Sequence, residues 1–213
     1  MTCVAFTGHR PNRIHIGAQR IEARLRAALR AVRKGCVPGT KAVALSALAE
    51  GSDRLFADAA LGAGFELHAM LPFNSPDYET TFADPATTPV YRALLGRCVK
   101  TNVYHGSLTD QPAAYEEIGR TMATRCDILF AVWDAQPSAG RGGTPEIMQY
   151  ALELGRPVVW IDAARDRPPL LLQAPSAGVR RHVALEKLAA RAKGAAPRKL
   201  AALSSRGTRY PAG

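Results

Sequence analysis

Over residues 1–164, short and nearly unbroken apolar runs alternate with longer stretches in which apolar residues recur every three or four positions. The runs fall at residues 3–7, 42–47, 65–71, 99–104, 127–133 and 157–161. Runs without polar alternation predict strands covered by helices on both faces. After the first run, Ile21, Leu25, Ala28, Leu29 and Val32 share one helical face, with arginines on the other, which predicts an amphipathic helix. Further helices are predicted at 53–62, 113–125 and 145–154. The last has Thr144 as its cap and Pro145 in its first turn, and it stops at Gly155, just before Arg156 and Pro157; each residue type suits its place. Such an alternation predicts an α/β chain, a Rossmann-like three-layer sandwich around a mostly parallel central sheet. Residues 72–97 are the least regular part. They predict a mobile excursion over one edge of the ligand crevice, with a helix near 90–95.

Composition adds limits. With 213 residues, 47% hydrophobic and 22% charged, the chain is long enough for one substantial core. Glycine and proline make up about 15%, below the roughly 25–30% that marks low-complexity disorder. No apolar run approaches the roughly 18 residues of a membrane span, and no basic, then apolar, leader opens the chain; a soluble, cytoplasmic protein without membrane contact is expected. Cys3, Cys36, Cys98 and Cys126 form no C-x-x-C pair and read as reduced, mostly buried thiols. His15, His68, His105 and His182 show no metal-ligand spacing. Neither a metal nor a cofactor is expected.

The net charge of +10 is unevenly placed. Residues 1–164 carry 17 Lys and Arg against 16 Asp and Glu, whereas residues 165–213 carry 11 against 2. The chain therefore reads as a Rossmann-like domain at 1–164 followed by a basic C-terminal extension at 165–213, partly helical or disordered, in which Val179, Val183, Leu185 and Leu188 suit one helical face. Two roles are open for it, a solubilising tail or a weak nucleic-acid contact through phosphates. Tyr210 is its one aromatic residue for stacking on bases,.

In an open parallel sheet, ligands gather where strand C-termini meet helix N-termini, because freed N–H groups and the helix dipole favour anions there. Three segments meet that description. In Thr7-Gly8-His9-Arg10-Pro11, Gly8 permits close approach, Thr7 offers a hydroxyl and Arg10 a planar cation for phosphate; the plain alternative is a turn with a surface arginine and a solvated histidine. In residues 46–54, Gly51 permits a tight approach, Ser46 and Glu50 are expected to face the crevice, and capping alone accounts for Asp53,. In Gly140-Arg141-Gly142-Gly143-Thr144-Pro145-Glu146, adjacent glycines before a helix build a row of N–H donors for a phosphate, while Glu146 either stabilises the helix or faces a ribose. Asp134 either binds a ribose hydroxyl or caps its loop, and for Arg120 and Arg125 a solvated helix face is the plain reading. No G-x-G-x-x-G fingerprint, Walker loop or nucleophile elbow is present,.

Taken together, these segments resemble the SMF/DprA-LOG (SLOG) superfamily. SALAEGSDRLFADAALGAG at 46–64 resembles its small-residue, Gly-x-Asp element, and residues 7–11 look like the opening of its YpsA-like branch. Residues 141–146, with Tyr150-Ala151 and Gly155 to Val158, are similar to its Gly-Gly-x-Gly-Thr-x-x-Glu phosphate loop. The likeness spans about residues 2–162. It implies a crevice for a nucleotide or nucleotide-derived ligand, such as a nucleoside monophosphate, ADP-ribose or a NAD-like molecule. Within the superfamily, LOG phosphoribohydrolases cleave the N-glycosidic bond of nucleoside 5′-monophosphates, which implies Glu146 and Arg120 as the catalytic pair here; DprA binds single-stranded DNA; other branches are ligand sensors. One departure stands out. Glu146 follows Thr144 by two residues rather than three, a shift of about 100° around a helix. Arg120, seven residues before Asp127, is close to the family placement but out of register. Homodimerisation is a fold-level expectation.

Overall fold

A computed structural model describes residues 1–138 and 140–173; the helix expected around 179–188 lies outside the described residues. The strands are β1 (Thr2–Gly8), β2 (Ala42–Ser46), β3 (Glu66–Leu71), β4 (Lys100–Val103), β5 (Ile128–Trp133), β6 (Val158–Asp162) and β7 (Leu170–Leu172). Between them run α1 (Ala18–Lys34), α2 (Ser52–Gly62), α3 (Ser75–Glu79), α4 (Thr88–Leu95), α5 (Gln111–Arg125) and α6 (Thr144–Glu153). Sheet order is β4-β3-β2-β1-β5-β6-β7. All pairings are parallel except that of β6 with β7.

This order places the site. The chain builds outward from β1 to β4, then α5 carries it back so that β5 pairs with the other side of β1, with Val4 opposite Ile128 and Gly8 opposite Val132. Loops leaving β1 and β5 therefore diverge at one rim, the switch point where open α/β sheets hold ligands. Along β1, Val4 and Phe6 pack toward Ile21, Leu25, Leu29 and Phe56, whereas Cys3 and Ala5 face Ile118, Met122 and Met148. Both faces are apolar because both are covered, α1 and α2 on one side and α5 and α6 on the other, which is why the strand reads as a continuous run. Cys3, Cys36 and Cys126 are buried, Cys98 is partly so, and all four are free thiols. Among the described residues no helix is long and apolar enough to cross a membrane.

Two features differ from the sequence reading. The sheet continues past residue 164, because Leu170–Leu172 adds an antiparallel edge strand to β6; three leucines after two prolines are too short a run to signal one. Residues 72–97 are also no loose excursion. Tyr78 and Tyr91 are completely buried with Phe73 and Phe82 beside them, and their rings meet edge to face at 5.1 to 5.7 Å, a geometry that aromatic quadrupoles favour. Arg54 of α2 fastens this cluster. Its guanidinium lies 4.5 Å from the centre of the Phe82 ring, Nε donates to Leu48 O at 3.2 Å and Nη1 to Thr87 O at 2.9 Å.

Candidate functional site

β1 ends against β5 without room for a side chain. A Cβ on Gly8 would collide with Ser52 Oγ and come within 2.6 Å of the Phe6 ring, so the loop after β1 lies directly on the start of α2. Ser52 completes the junction, its N–H and Oγ both donating to His9 O at 3.2 and 2.8 Å. His9 N in turn donates to Val132 O at 3.2 Å. Loops one and two are thus a single rigid edge.

Two buried carboxylates hold that edge's cations. Asp134, at the end of β5, accepts from His9 Nε2 at 2.9 Å and from Arg13 Nε and Nη2 at 2.8 Å each. Gln136 N also donates to it, at 3.0 Å. Burial alone would raise the Asp134 carboxyl, but the contacts from Arg13, His9 and Gln136 hold it below the ordinary range,. Glu50 accepts from Arg10 Nη1 at 3.0 Å, while Arg10 Nη2 donates to Tyr115 Oη of α5 at 3.2 Å. Arg10 and Arg13 keep side-chain exposures of 36% and 26% although their carboxylates are nearly sealed. Each guanidinium is therefore aimed from below and open above.

The third loop is arranged differently. Gly142 has φ +77°, and a Cβ there would fall 2.8 Å from Glu116 N of α5; only glycine lets the loop approach that helix. Glu146 turns back so that Oε2 accepts from Gly142 N at 2.8 Å, and Pro145 has no N–H to offer. Among the described residues, the N–H groups of Gly143 and Thr144 at the start of α6 have no hydrogen-bond partner,. Arg141 and Arg120 both pair with Glu116, and Arg120 also lies over the Tyr150 ring, 4.5 Å from its centre.

Between these edges lies a cleft of about 500 Å³. It brings together Thr7, Gly8, His9 and Arg10 with Arg141, Gly142, Gly143 and Thr144, residues more than 130 positions apart in the chain. Ser46, Glu50, Gly51, Asp134, Glu146 and Arg120 are not among its lining. Ser46 is fully buried and turned inward, accepting from Leu48 N at 3.1 Å and donating to Asp53 O at 3.4 Å; Glu50 and Asp134 act beneath the arginines. The lining also contains Asn12, Arg13, Asp53, Tyr115 and Ser138, which sequence reasoning did not place in a site. Tyr115 had a legible signal, since it shares a helical face with Ile118 and Met122. Asp53 is 5% exposed, and burial pushes its carboxyl up to about 7 against the pull of Arg10 and Arg54,. No group of three His, Cys, Asp or Glu side chains able to hold a metal ion occurs among the described residues.

No family model and no curated protein matches the chain. Solved structures do. DNA processing protein A (DprA) from Streptococcus pneumoniae aligns with a TM-score of 0.57 and 16% identity over 99% of this chain and 62% of its own, so the chain spans less than two thirds of that protein's length. The protein TM1055 aligns with a TM-score of 0.47 and 13% identity, covering 74% of this chain and 72% of that one. At such identity the likeness to DprA is one of fold alone.

Proposed function

We propose that the cleft binds a nucleotide or nucleotide-derived ligand, a nucleoside monophosphate, ADP-ribose or a NAD-like molecule. One observation carries this reading. Arg10 and Arg13, pre-aimed by Glu50 and Asp134, face the same cleft as the Gly143 and Thr144 start of α6. Planar cations and helix-terminal amides are the two groups that best hold phosphate oxygens. Ile118, Met122 and Ala47 supply an apolar wall for a base, and the volume lies within the roughly 300–1,000 Å³ usual for small-molecule sites. Calorimetry with AMP, ADP-ribose and NAD tests the reading: binding by at least one is expected, weakened at least tenfold in an Arg10→Ala, Arg13→Ala double variant. No heat from any of them at millimolar concentration would overturn it.

A second reading, contact with DNA, has two supports, the fold likeness to a DNA processing protein and the 11 to 2 excess of basic over acidic residues in 165–213. A gel shift with single-stranded oligonucleotide at rising salt tests it, comparing the full chain with one ending at Gln173, which keeps β7. Steep salt dependence lost on truncation supports the reading, and equal affinity removes it.

A further inference from the structure

We propose that His9 is the proton acceptor for hydrolysis of a nucleoside phosphate ester or anhydride, with Asp134 and Arg13 as its positioning residues. The inference rests on the nucleotide reading above and adds a reaction to it.

The tautomer follows from the contacts. Asp134 receives four donor contacts on its two oxygens, two of them from the bidentate fork of Arg13; a carboxylate so surrounded is ionised and can only accept. His9 Nε2 must therefore carry the proton it donates to Oδ1, which leaves the lone pair of the neutral ring on Nδ1. That atom has no hydrogen-bond partner among the described residues and is not one of the sealed, unpartnered atoms, while His9 itself lines the cleft. A carboxylate that fixes the tautomer and steadies the imidazolium is what a histidine base requires, here with the ring nitrogens in exchanged roles. Burial, opposed by Asp134, lowers the pKa of His9, with Arg13 and His15 the other ionisable groups that face it; this favours the neutral ring, whose free lone pair can take a proton.

The arginines identify the electrophile. Arg13 Nη2 shares Asp134 Oδ1 with His9, so a phosphate held by the open side of Arg13 and Arg10 would lie on the same side of the cleft as His9. Water gives a proton to Nδ1 as its oxygen bonds to phosphorus. The phosphorus to leaving-oxygen bond breaks, the electron pair departs with that oxygen, and the imidazolium returns the proton to it. AMP would yield adenosine and inorganic phosphate, and ADP-ribose would yield AMP and ribose 5-phosphate, without a further reactant.

The test uses the full chain with AMP as the ester probe and ADP-ribose as the anhydride probe. Calorimetry measures binding, chromatography identifies products, and two-dimensional ¹⁵N spectra of the ligand-free protein report the His9 tautomer. Expected are an Nε2-protonated ring, phosphate-bond products from at least one probe, and a turnover that rises with pH to a plateau. His9→Gln should bind the probe within threefold and lose at least 100-fold in kcat together with that pH dependence, a scale set by general-base catalysis. Asp134→Asn should lose 10-fold or more in kcat, weaken binding through its hold on Arg13 by less than the Arg10→Ala, Arg13→Ala double variant does, and shift the His9 spectrum. Binding without turnover, unchanged kcat in His9→Gln, or an Nδ1-protonated ring overturns the base role and leaves the binding reading standing. Release of adenine moves the reacting bond to the sugar and overturns phosphorus as its centre, and failure of every probe to bind removes both readings.

Discussion

Arg10 and Glu50 form an ion pair of unequal exposure: Nη1 meets Oε2 at 3.0 Å, with 36% of the arginine side chain open and 3% of the glutamate. Glu50 also accepts from Ala83 N at 2.7 Å, Asp84 N at 3.0 Å and Thr87 Oγ1 at 3.0 Å. One carboxylate thereby aims a cleft arginine and ties down the segment between α3 and α4. Glu50→Ala would strip the partners from two backbone N–H groups and free Arg10, costing about 2–4 kcal/mol. Urea unfolding at pH 7 reads the loss. Burial pushes the Glu50 carboxyl up, but these four donors hold it below its ordinary value, so its stabilisation is present above the usual carboxylate range and fades as pH falls through the lowered folded value. The gap between wild type and variant should narrow below about pH 4.

Asp53 gives the opposite sign. Its folded pKa of about 7 exceeds the ordinary value near 4, so the folded state binds the proton more tightly. That stabilisation is full below about pH 4 and vanishes as pH rises through 7. Asp53→Asn removes the titration, and the stability of wild type relative to this variant should drop by about 2–3 kcal/mol between pH 5 and pH 8. Parallel denaturation curves at the two pH values are the check, and an unchanging difference would show that Asp53 is ionised throughout.

α5 and α6 touch where α5 has no side chain. A Cβ on Gly119 would lie 2.7 Å from Ile147 Cδ1 and 2.8 Å from Cγ1, too close for the helices to keep their spacing. Gly119→Ala should cost about 1–3 kcal/mol through overpacking. Since Gly119 and Ile147 both line the cleft, ligand affinity should fall with the melting temperature. Ile147→Val in the same chain, by making room, should recover part of both.

Removing residues 174–213 should leave the nucleotide affinity proposed for the cleft within twofold of the full chain, because among the described residues the lining ends at Ile147 and the last strand is β7, ending at Leu172. Calorimetry on the two chains decides, and a larger loss would assign part of the ligand contact to the removed segment.

Much of the fold was legible because both sheet faces are covered: β1, β2, β3, β5 and β6 each show as an apolar run. β7 was not, since three leucines at an edge carry no period. In residues 72–97 the prolines and polar residues hid an aromatic set, Phe73, Tyr78, Phe82 and Tyr91, whose contacts come from tertiary packing. At the candidate site, Gly8 and residues 140–144 line one cleft, a placement that glycines following a strand end or preceding a helix suggested, while what the cleft holds stays a proposal. Arg13 could not, for its partner Asp134 stands 121 residues away. Glu146 looked out of register with a phosphate-loop motif, and its bond to Gly142 N shows what that position does instead.

The pairing of Arg10 with Glu50 and of Arg13 with Asp134 also bears on how fast a ligand arrives. Each of these two cations is already neutralised locally, so the field they add at a distance is small,, and their part in discrimination would be expressed in how long a bound anion stays.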